Sequence, residues 1–141
     1  MQEIFQGDLL DYEIASVSLN CDHVLAIGKD TRDVYAWGNS EYGQAGFGAK
    51  VAQITTPSRL LLNIPGEDVN VVGVAAGGSF SLFLTRNKRN RVFALGYGIL
   101  GAGVDQSEAM VNPVEVHFPM LGSDVPTHVF ASADYAAMVN K

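Results

Sequence analysis

Three adjacent residues invite a chemical reading: Cys21, Asp22 and His23, within "NCDHVLAIG" (20–28). A cysteine beside a histidine is the raw material of a thiolate nucleophile or a metal site, and the chain has only 1 cysteine and 3 histidines. A nucleophile needs a depressed thiol pKa. A zinc site needs about four ligands, and His117 and His128 lie far along the chain without ligand spacing. A second stretch, "RNKRNR" (86–91), gathers Arg86, Lys88, Arg89 and Arg91. Such a turn is either a solvated hairpin tip or a contact for an acidic partner or an RNA backbone, and a local cluster can act so within an acidic chain. A third, "GNSEYGQAGFG" (38–48), is glycine-rich like a phosphate loop. It lacks the lysine followed by serine or threonine, and no helical pattern follows it. Neither a Ser-His-acid arrangement nor a carboxylate pair stands out. Asp22, Asp33, Asp68 and Asp124 fall mostly at turns, where aspartate is locally favoured. The expectation is therefore no catalytic residue, no metal and no cofactor.

The elements that must position these residues are short. Hydrophobic residues make up 48% of 141, enough for the core of one ordinary domain, while 15 glycines and only 17% charged residues favour many strands and tight turns. The net charge of −6 makes phosphate-backbone binding by bulk electrostatics a poor fit. One cysteine excludes an internal disulfide framework and fits a reducing compartment. No apolar run approaches the length of a membrane span, so no membrane insertion is expected. The start, "MQEIFQGDLLDYE", has neither the basic-then-apolar pattern of a secretory signal nor the arginines of a transit peptide. These features read as an intracellular protein, with the mitochondrial, cytosolic and nuclear compartments all left open.

Internal similarity organises the rest. "VSLNCDHVLAIGKDTRDVYAWG" (17–38) aligns with "VAAGGSFSLFLTRNKRNRVFALG" (74–96), and a third copy, "VFASADYAAMVNK", begins at Val129. Val17, Val74 and Val129 are equivalent, at spacings of 57 and 55. The downstream halves also match. Gly43, Gly46 and Gly48 align with Gly98, Gly101 and Gly103, and Pro57 in "TPSRLLL" aligns with Pro113 in "NPVEVHF". Each repeat offers about four short strands and no helical stripe, and a period near 50 suggests one propeller blade per repeat.

These residues resemble the repeats of the regulator of chromosome condensation family. Its pattern runs from a valine-rich strand with "AAG", through "HS-ALT" and "G-VYAWG", to "GQLG-G" and a threonine-proline. "VAAGGSFSLFLT" and "VYAWGNSEYGQAGFG" followed by "TP" match it, over nearly the whole chain. The second repeat departs: Leu95 replaces the tryptophan, and "GYGILGAG" lacks the glutamine, as in divergent members that include mitochondrial ones. The resemblance implies an all-β fold of β-propeller blades, each of four short antiparallel strands, in a partial ring of about two to three blades where the family's ring has about seven.

The expected organisation is a single partial propeller over 1–141: the end of a preceding repeat (1–13), a first repeat (14–68), a second (69–124) and the start of a third (125–141). Because a partial ring leaves edges unpaired, the chain is expected to be a fragment of a longer chain, part of a split protein whose remainder is another chain, or an arc within a larger assembly. Its partners are then other protein subunits or the missing blades of the same propeller. The structural repeat positions are Trp37, Gly38, Gly43, Gly46, Gly48, Gly77, Gly96, Gly98, Gly101, Gly103 and His23. Tyr35 and Trp37, like Phe93 and Leu95, share a strand face and should fill gaps between blades. Pro57 and Pro113 suit the start of an edge strand. His23 aligns with Phe80 and Tyr135, and Cys21 with Gly78 and Ala133, so their shared frame makes 21–23 a blade turn. The function this frame implies is a non-enzymatic protein-interaction module. Two alternatives stand beside it: part of a guanine-nucleotide exchange factor for a small GTPase, or a subunit of an organellar ribonucleoprotein or respiratory complex. The basic turn Arg86, Lys88, Arg89 and Arg91 is the candidate partner site in either the protein or the RNA reading.

Overall fold

Runs of alternating side chains broken by glycine-rich turns become ten antiparallel strands among the described residues of the computed structural model, which are 7–9, 12–48, 51–66, 68–98, 108–117 and 125–141. Gly101, Gly103 and Asp124 lie outside them. Strands β1 (Ile14–Asn20), β2 (His23–Gly28), β3 (Val34–Asn39) and β4 (Gln53–Leu60) form one sheet in that order. Strands β5 (Val71–Ala76), β6 (Phe80–Arg86), β7 (Asn90–Gly96) and β8 (Met110–Glu115) form a second, and β9 (Pro126–Ala131) pairs with β10 (Ala136–Asn140). The fold is all-β: two four-stranded propeller blades and a hairpin, side by side in a partial ring. The strands reach further upstream than Val17, Val74 and Val129, each beginning three residues earlier.

Period-two alternation assigns each strand's residues to opposite seams. Leu25 and Ile27 of β2, with Val34 and Ala36 of β3, pack against Val74, Ala76, Phe83 and Leu95 of the second blade. The intervening residues of that blade, Ala75, Leu82, Leu84, Val92 and Ala94, turn the other way and pack with Val129 of the third unit. A blade is thus apolar on both faces, which explains why β6 is buried nearly throughout. Trp37 and Leu95, equivalent by repeat, differ in burial. Leu95 is 1% exposed inside the seam between the blades, whereas Trp37 is only partly buried, against Leu9, Ala26 and Tyr35.

Two local features recur in both blades. Gly38, next to last in β3, and Gly96, last in β7, have φ of 101° and 103°. A Cβ there would lie 2.3 Å from the Asp22 carbonyl oxygen in one blade and 2.2 Å from that of Ser79 in the other. The next amides, of Asn39 and Tyr97, donate 2.8 Å bonds to those same carbonyls. Only glycine combines that φ with that approach. The prolines sit within strands rather than at their starts. Pro57 lies where the β3–β4 register slips between Ala36 and Gly38, and Pro113 where β7–β8 slips between Ala94 and Gly96. A bulge on an outer strand is where a residue without an N–H costs no ladder bond. The Pro57 carbonyl accepts a 2.7 Å bond from the Asp8 amide, and the Arg59 amide donates to the Asp8 carboxylate at 2.7 Å, so residues 7–9 cover part of that outer edge.

Candidate interaction site

The four bases of "RNKRNR" do not share one environment. Arg86 pairs with Asn90 at the end of the β6–β7 hairpin, and Asn87, Lys88 and Arg89 form its tip. Contacts from Asn90 and Arg91 brace the hairpin. Asn90 Nδ2 donates 2.7 Å to the Pro126 carbonyl of the next unit. Arg91 grips Glu115 of β8 bidentately, with Nε 2.8 Å from Oε1 and Nη2 bonded to Oε2, while its guanidinium lies 4.9 Å from the centre of the Phe93 ring. The hydrogen bond from Arg91 holds the Glu115 carboxyl below the usual glutamate range. Arg91 is therefore committed inside its own blade. Arg86, Lys88 and Arg89 are exposed, and Lys88 and Arg89 line an open groove of about 660 Å³ with Gly66, Asp68, Asn87 and Arg91. The corresponding tip of the first blade is internally balanced: Lys29 bonds Glu13 at 2.5 Å, and Arg59 bonds Asp33 at 2.8 Å.

Cys21, Asp22 and His23 separate as soon as the chain folds. Cys21 and Asp22 form the β1–β2 turn, with Cys21 exposed at φ 46°. His23 opens β2 and is 1% exposed, with Nε2 2.9 Å from Ser81 Oγ of the second blade. The Ser81 hydroxyl donates onward to the Gln44 carbonyl at 2.7 Å, so its oxygen must accept from His23 Nε2–H. That places a proton on Nε2. Burial pushes the His23 pKa down, opposed by the nearby Asp22 carboxylate. His23 Nδ1, 3.6 Å from Asp22 Oδ1, has no hydrogen-bond partner. At the same position Phe80 is buried, and Tyr135 is 74% exposed.

Of the glycines at repeat positions, Gly43, Gly46, Gly48 and Gly98 sit at positive φ in the loops that follow β3 and β7. Gly77 is buried against the Phe80 ring. Sequence reasoning passed over Ser81, Gln44, Asn90 and Glu115. Ser81 carried a usable signal, because a hydroxyl placed in an otherwise apolar strand must find a partner once buried.

Comparison with known proteins accords with this geometry. A family model described as the Regulator of chromosome condensation (RCC1) repeat matches residues 33–84. The human "Probable E3 ubiquitin-protein ligase HERC4" is 30% identical over 138 residues, covering 94% of this chain and 12% of that protein. The mouse "RCC1-like G exchanging factor-like protein" is 37% identical over 97 residues, covering 69% of this chain and 20% of that one. Among solved structures, human WBSCR16 superposes with a TM-score of 0.72 at 26% identity, over 92% of this chain and 31% of that chain. Prp20p of Saccharomyces cerevisiae, whose structure was described with its binding to Gsp1p and histones, gives 0.75 at 18% identity, over 97% and 32%. The chain therefore spans between an eighth and a third of these proteins' lengths.

Proposed function

Since the chain is an arc of regulator of chromosome condensation repeats, we propose that it serves as a non-catalytic protein-interaction module, with the β6–β7 hairpin tip as a docking point for an acidic protein surface. The observation that supports this reading is the division of labour in the basic turn. Arg91 anchors the hairpin through Glu115, and Arg86, Lys88 and Arg89 extend from it into solvent. A tip held at its base presents charge with little ordering cost. Guanine-nucleotide exchange is the second reading, favoured by the relatives named as G exchanging factor-like in mouse and human. Exchange would belong to the whole propeller acting on a small GTPase, of which this arc would supply part of a rim.

A photo-crosslinker placed at Lys88 in cells tests the leading reading. Protein adducts with acidic contact peptides, lost when Arg86 and Arg89 become alanine, are the expected result. Adducts destroyed by ribonuclease would instead support an RNA contact. Absence of specific adducts would remove the hairpin tip from the reading. Accelerated nucleotide release from a GTPase panel by the full-length protein tests the second, and no acceleration rejects it.

A further inference from the structure

The antiparallel topology sends alternate connections to opposite rims. The turns after β2, β4 and β6 share one rim, which includes the basic hairpin tip. The turns after β1, β3, β5, β7 and β9 share the other. On that second rim the described residues include Asp22, Glu41, Glu108 and Asp134, with no lysine, arginine or histidine among them. A groove of about 610 Å³ crosses it from the first blade to the third unit. Asp22 of the β1–β2 turn and Asp134 of the β9–β10 turn both line it, together with Gly78, Ser79 and Gly98. One wall is a stacked pair, Tyr42 and Tyr97, with ring centroids 5.2 Å apart and each residue 41% exposed. A third-unit contact fixes the groove's span: the Gly78 amide donates to the Ala133 carbonyl at 2.9 Å.

We propose that this groove between the β1–β2, β5–β6 and β9–β10 turns binds a basic protein segment, with an arginine side chain laid against the Tyr42–Tyr97 pair and flanked by Asp22 and Asp134. The chemistry is complementary at each point. Exposed aromatic faces attract a guanidinium through stacking and the ring quadrupole. Carboxylates pair with it through charge-assisted hydrogen bonds. The Asp134 carboxylate has no ion pair or hydrogen bond of its own among the described residues, and the Asp22 side chain is 45% exposed. The glycines leave the floor open to a peptide backbone. Among the described residues, an acidic ligand or a nucleic acid would meet two carboxylates and no cation in this groove.

Cys21 lines the groove and is the chain's 1 cysteine, so its alkylation rate reports occupancy at one site. The probe is an arginine-glycine repeat peptide, with a glutamate-glycine peptide as control, added to the full chain. Protection of Cys21 by the arginine peptide alone is expected. The Asp22→Asn/Asp134→Asn variant, nearly isosteric, should weaken that protection about tenfold or more, as should Tyr97→Ala with its circular dichroism unchanged. Changing Arg86, Lys88 and Arg89 to alanine should leave it intact. Equal protection by both peptides, or full protection in the Asn variant, overturns the proposal. Protection that instead rises with chain concentration alone, and disappears when the basic turn is neutralised, would assign the groove to a second copy and overturn it too.

Discussion

His23 Nε2 sits 2.9 Å from Ser81 Oγ, across the seam between two blades and 58 positions apart in the chain. The next seam solves the same position without polarity: Phe80 replaces the histidine, Ala136 follows where the serine would stand, and both belong to one apolar cluster. The residues at this position thus differ between the two seams as matched pairs, polar in one and apolar in the other. Ser81→Ala alone strands the His23 N–H and the Gln44 carbonyl, at an expected cost of about 1–3 kcal/mol. The His23→Phe/Ser81→Ala double variant copies the neighbouring seam and should be less destabilised than the sum of the two single variants. Urea denaturation of the four proteins measures the coupling, and strict additivity would deny that the two residues act as a pair.

Stability should fall with pH in two windows. His23 has a lowered folded pKa, caused chiefly by burial, so the unfolded chain binds more protons once pH drops below the ordinary histidine value of about 6.5. Its contribution is complete above that value and is lost as pH falls toward the folded pKa. Glu115 is also lowered, chiefly by its hydrogen bond from Arg91, so its contribution is complete above about pH 4.3 and is lost on further acidification. Thermal melts of wild type and His23→Gln across this range test the assignment. The upper window should flatten in the variant and the lower one should persist.

The basic turn should divide by function under mutation. Arg91→Ala breaks the bidentate pair and the Phe93 contact, costing about 1–2 kcal/mol for a partly exposed charged bond. Lys88→Ala should change stability by less than about 0.5 kcal/mol. Chemical denaturation distinguishes them, and equal effects would refute the anchoring role of Arg91.

Leu95 and Trp37 test the seams against each other. Leu95→Ala opens a cavity in the sealed core and should cost about 2–5 kcal/mol. Trp37→Ala should cost roughly half of the 3–5 kcal/mol typical of a buried ring, because its ring is only partly enclosed. The larger residue is expected to matter less, and denaturation midpoints would reveal the reverse.

Gly96→Ala should be more damaging than Gly98→Ala. Both residues have positive φ, but a Cβ at Gly96 meets the Ser79 carbonyl at 2.2 Å, whereas among the described residues nothing lies within 4 Å of one at Gly98. Gly98→Ala carries only the backbone penalty of about 1–2 kcal/mol. Gly96→Ala adds a backbone collision and should cost more than about 3 kcal/mol. Soluble yield and melting temperature compare them.

Much of the architecture was legible because it is local and repeated. Three aligned copies fixed the phase of the strands, and the alternation in "DVYAWG" and "RVFALG" placed Tyr35 with Trp37 and Phe93 with Leu95. Pro57 and Pro113 were placed on the right strands but at the wrong points. A bulge depends on how two strands slip past each other, which neither strand's pattern records. The basic turn was visible as composition, but its division was not, because Glu115 lies 24 positions from Arg91 and reaches it only through the β7–β8 pairing.

By itself, the sequence determined the blade: its period near 50 residues, its four short strands and the all-β class, since each follows from side-chain alternation and turn chemistry within about 50 residues. Only the tertiary structure decided which polar side chains are occupied. It sent His23 inward to Ser81 and left Cys21 outside, committed Arg91 while freeing Lys88, and gathered Asp22, Tyr42, Tyr97 and Asp134 along one groove. The physical reason is that these pairings form between strands and blades. Their partners are set by register and stacking across tens of residues, which a period-two pattern does not encode.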